Sequence, residues 1–90
     1  MAKRLRKLPP GTRVRVAEGT PMPEFPGIDI GGRTASVLEV RGRGEQLKYT
    51  LQWTADALAA MPADFVEMCE ARQLRHELVC LPARSVAAVD

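Results

Sequence analysis

Aromatic residues are scarce in this 90-residue chain, limited to Phe25, Tyr49, Trp53 and Phe65. A cage that holds a methylated cation needs several exposed rings, and the last three of these stand where a small core would claim them. Cysteine is equally sparse, with Cys69 and Cys80 only. Two thiols make no disulfide framework and suit a reducing compartment, so a bacterial cytoplasm is the expected location. No apolar run approaches the roughly 20 residues of a membrane span. The basic start MAKRLRKLPPG lacks the apolar stretch of a secretory signal. Gly27, Gly31 and Gly32 form no phosphate loop, since neither G-x-G-x-x-G nor G-K-[ST] occurs.

What is present is short alternation. Residues 12–16 read T-R-V-R-V and residues 47–53 read L-K-Y-T-L-Q-W. Apolar groups at every second position, with Arg, Lys, Thr and Gln between them, mark half-buried strands. The first strand is expected over 12–17 with Val14 and Val16 inward. The second is expected over 33–41 with Val37 inward; Leu38 and Val40 have the opposite parity, which requires a bulge or cover on both faces. Gly42 and Gly44 permit the turn into the third strand. That strand places Leu47, Tyr49, Leu51 and Trp53 on one face. The period then changes. Thr54 suits an N-cap, residues 57–61 favour a short helix, and Pro62 opens a second over 63–73 with Phe65, Met68 and Cys69 inward. Strands return at 77–81 and 86–89 around a tight turn at 82–85. Strands this short must curl to find a core, so the expected fold is mainly β, a small barrel of about five strands with a short helical insertion between strands 3 and 4. Residues 1–10 are expected as a basic flexible tail and residues 11–90 as the barrel domain.

The layout resembles SH3-like barrels of the KOW and Tudor type. Its carriers are Gly11, Val14 and Val16, then Ile30, Gly31, Gly32 and Val37, then Tyr49, Leu51 and Trp53. The resemblance extends, over residues 11–89, to small bacterial proteins with P-x-F-P at 23–26, I-G-G at 30–32 and M-P-x-x-F at 61–65. It implies the barrel and brings no activity with it. Two departures qualify it: KOW strands place a glycine near Ala35, and Tudor domains need more exposed rings.

Candidate chemistry is thin. Cys69, His76 and Cys80 give C-x6-H-x3-C, which lacks knuckle spacing and a fourth ligand, so no metal or cofactor is expected. Both cysteines are expected as small buried hydrophobes, and His76 as a surface residue in the turn after the helix. A catalytic thiol would need a cleft, an orienting group and an oxyanion site, so no enzyme is expected. Asp56, Asp64, Glu67 and Glu70 read as a solvated helix surface. Residues 18–32 carry Pro21, Pro23 and Pro26 and four glycines, a long loop pinned by Phe25, Ile28 and Ile30. Trp53 is expected to be buried with its indole N–H bonded. Charge is uneven: residues 1–16 hold six basic residues and no acid, and the remainder holds seven basic and eleven acidic. Arg13 and Arg15 on strand one, with Arg33, Arg41 and Arg43 around the second hairpin, form a candidate basic ridge, and Phe25 a candidate contact on the loop. The expected function is non-catalytic binding of a protein partner. The alternative is weak, sequence-independent nucleic-acid binding through the basic arm and that ridge.

Overall fold

The computed structural model describes residues 8–89. Most of the expected basic tail therefore lies outside the described residues. Five antiparallel strands form one sheet: β1 (Arg13–Val16), β2 (Thr34–Arg41), β3 (Lys48–Trp53), β4 (Leu78–Pro82) and β5 (Val86–Ala88). Two helices, α1 (Ala55–Ala59) and α2 (Phe65–Ala71), stand between β3 and β4. The strand order is β4-β3-β2-β1-β5.

That order has a geometric consequence. β4 and β5 occupy opposite edges, yet only the 3-10 turn Ala83–Ser85 separates them in sequence. Four strand spacings in a flat sheet span about 19 Å. The four residue steps from Pro82 to Val86 reach at most about 14 Å. The sheet must therefore curl, although its hydrogen bonds do not close: no ladder joins β4 to β5 among the described residues.

Alternation decides which groups fill the curl. Val14, Val16, Ala35, Val37, Leu47, Tyr49, Leu51, Trp53, Val79 and Leu81 are all buried and share one core. The awkward parity of β2 is resolved by a bulge. Register shifts between Val37 and Glu39, leaving Leu38 out of the pairing and 43% exposed, and Val40 returns opposite Tyr49. The turn into β3 demands glycine at position 42, where φ is +75° and an added Cβ would meet Gln46 O at 2.5 Å.

The helices close one side of this core. The Thr54 hydroxyl accepts from Ala57 N–H at 3.2 Å and lies 2.9 Å from Thr34 Oγ1, so the cap also ties α1 to the start of β2. Pro62 does not itself begin α2; Phe65 N–H donates to Pro62 O in a preceding turn, and the helix starts at Phe65. Phe65 and Cys69 face inward as expected, with Met68 half-buried.

Loop 18–32 folds back on itself. Met22 N–H donates to Ile28 O at 2.9 Å and Ile30 N–H to Thr20 O at 2.9 Å, with a bridge between Pro21 and Asp29. Phe25 and Ile30 are buried and Ile28 half-buried, as expected for its anchors, and Met22 joins them in the core. Gly31 lets the two ends of this loop pass each other, because a Cβ there would sit 2.7 Å from Gly19 N.

Candidate functional site

A cleft of about 260 Å³ opens where loop 18–32, the end of α2 and β4 meet. Met22 and Glu24 come from the loop, Cys69, Gln73 and Leu74 from the helix end, and Leu78 and Cys80 from β4. Its floor is apolar. Pockets for small ligands usually exceed about 300 Å³, and this one falls just below that size.

Three devices position its walls. Phe25 meets Phe65 edge-on with ring centroids 6.2 Å apart, which seats the loop on α2. The Arg72 guanidinium then lies 4.7 Å above the Phe25 ring, and its Nη1 donates to Glu24 O at 2.9 Å. The third device is the helix terminus. Leu74 N–H donates to Cys69 O at 2.8 Å and Gln73 N–H to Glu70 O at 3.0 Å, the two bonds of a Schellman cap. That cap needs a left-handed residue, and Gln73 supplies it at φ 58°. Among the described residues no other non-glycine has positive φ. A glutamine held there at a cost, in the wall of a cleft, is an outlier that asks for a function.

The electrostatics are lopsided. Arg75 Nη2 is 3.4 Å from Glu77 Oε2, so its charge is already matched. The carboxylate of Glu77 is held below its ordinary range, first by its own backbone N–H and then by Arg75 and His76. Glu24, half-buried, has no ion-pair partner among the described residues. Burial, and then the nearby Glu24 carboxylate, push the Cys69 thiol up from its ordinary value. A thiol so placed stays protonated at neutral pH and is a poor nucleophile. Comparison with known protein families, curated proteins and solved structures gives no match to this chain.

The residues singled out from sequence are distributed as follows. Arg13 and Arg15 both project outward from β1, opposite Ser36 and Thr34. Arg41 lies five residues beyond Ser36 along β2, roughly 16 Å away at strand rise, and pairs with Glu39 at 3.4 Å. Arg43 is exposed beyond it in the hairpin turn. Arg33 precedes β2, with Nη2 3.5 Å from Asp29 O and a buried Nε that meets no acceptor among the described residues. The fold thus gathers Arg13 with Arg15 and leaves Arg41 and Arg43 apart from them. Phe25 is spent on packing against Phe65 and Arg72.

Two expectations need correcting. Cys69 is buried, but Cys80 is exposed. It sits between inward Val79 and Leu81, and strict alternation sends it to the outer face of β4. Trp53 is buried at 4% exposure, yet among the described residues its indole N–H meets no acceptor. Its ring packs in the apolar core shared with the valines of β1 and β2. Tyr49 fares better, accepting from Leu8 N–H at 3.0 Å through its hydroxyl. His76 is 36% exposed by its side chain, with Nδ1 3.6 Å from Glu77 Oε1. Asp56, Asp64, Glu67 and Glu70 are exposed.

Gln73, Arg72, Glu24 and Leu74 were not legible as site residues. Position 73 carries no glycine or asparagine to announce a left-handed cap. The Arg72–Phe25 contact joins residues 47 apart, which no local pattern can reveal.

Proposed function

We propose that this chain is a non-catalytic binding module built on an SH3-like barrel, and that it holds a protein partner at the cleft between loop 18–32, α2 and β4. The barrel reading is supported by five short antiparallel strands whose edges are only three residues apart in sequence. The binding reading is carried by one observation: an apolar cleft whose wall keeps Gln73 left-handed. A protonated, buried Cys69 favours recognition over covalent chemistry. Fold alone assigns no partner, so the site carries the argument.

Site-specific photocrosslinking tests it. A photoreactive residue at position 73 in the full chain should give a discrete, protease-sensitive adduct in cells, and Leu78→Lys should abolish it. The same probe at position 43 should give none. Absence of an adduct from position 73, or one that survives Leu78→Lys, overturns the assignment.

Nucleic-acid binding is the second reading, favoured by Arg13 and Arg15, which share an outward face and have no ion-pair partner among the described residues. It predicts affinity for labelled RNA and DNA that falls steeply with salt. Undetectable binding at low salt ends it.

A further inference from the structure

β4 is an edge strand. β3 pairs with it on one side, and among the described residues no strand pairs on the other. The parity of the ladder says which groups face the open side. Trp53 N–H donates to Glu77 O at 2.9 Å, and Ala83 N–H to Leu47 O at 2.8 Å. Residues 77, 79, 81 and 83 therefore direct their backbone groups to β3, and Leu78, Cys80 and Pro82 direct theirs away. Leu78 N–H is taken by Arg75 O at 3.1 Å, and Pro82 has no N–H. Among the described residues Leu78 C=O, Cys80 N–H and Cys80 C=O meet no partner and remain on the open edge.

Edges of this kind are usually blunted by charge or by a bulge. The sequence of β4, L-V-C-L-P, carries no charge, and its pairing with β3 runs without a register shift. Among the described residues only Pro82 closes it, at the end nearest β5. At the other end Leu78, Val79 and Cys80 line the cleft, so the open backbone runs alongside the apolar hollow. Glu24 supplies the cleft with a half-buried carboxylate lacking an ion-pair partner among the described residues, while Arg75 pairs with Glu77 at 3.4 Å. Arg72 lies outside the lining, held over the Phe25 ring with Nη1 on Glu24 O, so the one unpaired charge among the described lining residues is negative.

We propose that the β4 edge takes up an extended segment of the partner protein by strand addition. The segment carries a large apolar side chain, which enters the cleft, and a Lys or Arg two positions away on the same face, which reaches Glu24. The residue opposite Cys80 exchanges both backbone hydrogen bonds with it, and the next residue but one donates to Leu78 C=O. This inference rests on the protein-binding reading above and specifies its mode.

The test uses random heptapeptides displayed on phage and selected on the full chain. The expected consensus pairs an apolar residue with Lys or Arg at i±2. A synthetic peptide of that consensus should slow hydrogen exchange of the Cys80 amide at least tenfold. N-methylation of the peptide residue opposite Cys80 should abolish binding. Glu24→Gln should weaken the peptide by about five- to tenfold and leave a norleucine-substituted version unchanged, a comparison that isolates the charge pair. Failure to enrich any peptide, a consensus without a basic residue, or an unprotected Cys80 amide overturns the proposal. So does a concentration-dependent dimer crosslinked through Cys80, which would place a second copy on the edge. If position 73 still gives its protein adduct while Cys80 stays unprotected, strand addition falls and the binding reading stands. If both signals are absent, both fall.

Discussion

Replacing Gln73 with glycine should make the protein more stable. A non-glycine residue in the left-handed region loses about 1–2 kcal/mol to the contact between its Cβ and the following carbonyl. Gln73 at φ 58° bears that cost because the Schellman cap of α2 requires this backbone geometry. Glycine removes it but gives back about 0.5–1 kcal/mol through a freer unfolded chain. The net gain for Gln73→Gly is therefore about 0–1.5 kcal/mol, with a centre of about 0.75. For a domain this size the central value raises Tm by about 3–6 °C, and the urea midpoint rises without a change in m. Gln73→Ala is the control: it removes the amide but keeps Cβ, so it should gain nothing. A Gln73→Gly protein that is less stable at unchanged m would refute the idea that Gln73 is strained.

Phe65→Ala should cost about 3–5 kcal/mol, since a fully buried ring is lost together with its edge-on contact to Phe25. Total stability for a domain of this length is about 5–13 kcal/mol, so the loop amides of Met22, Phe25 and Ile28 should exchange far faster; a loss under about 1 kcal/mol contradicts the packing described. In the folded protein one thiol, Cys80, should react quickly with an alkylating reagent, and Cys69 only on unfolding; mass spectrometry distinguishes them, and equal rates reject the assignment. Because the folded state raises the Cys69 pKa above its ordinary 9.0, the native protein holds that proton longer than the unfolded chain. The contribution is fully present below pH 9 and is lost as pH rises through the folded value, so Cys69→Ala should flatten the alkaline fall in stability seen by urea titration.

How much of this was legible varied with the range of the interaction. The face of β3 was readable because period-2 alternation is local, and Tyr49, Leu51 and Trp53 all lie inside as expected. Thr54 was readable as a cap because its partner, Ala57 N–H, is three residues away. The parity conflict in β2 announced a bulge, and the register shift at Leu38 is its resolution. Alternation through Val79 and Leu81 puts Cys80 outside, against the burial its residue type suggests. The chemistry of Trp53 calls for a bonded indole N–H, and among the described residues the packed core supplies no acceptor.

The sequence by itself determined the strands, the two helical turns, the long anchored loop and the inward set of valines and large apolar residues, because each depends on spacing within a few residues. The tertiary structure alone decided that the edges of the sheet curl toward each other, that Arg13 and Arg15 stand apart from Arg41 and Arg43, and that Glu24, Gln73 and the free backbone of Cys80 meet at one cleft. Those placements depend on contacts between residues far apart in the chain, such as Val14 with Ala88 and Arg72 with Phe25. Such contacts are fixed by how whole surfaces pack, and that packing leaves no mark at any single position.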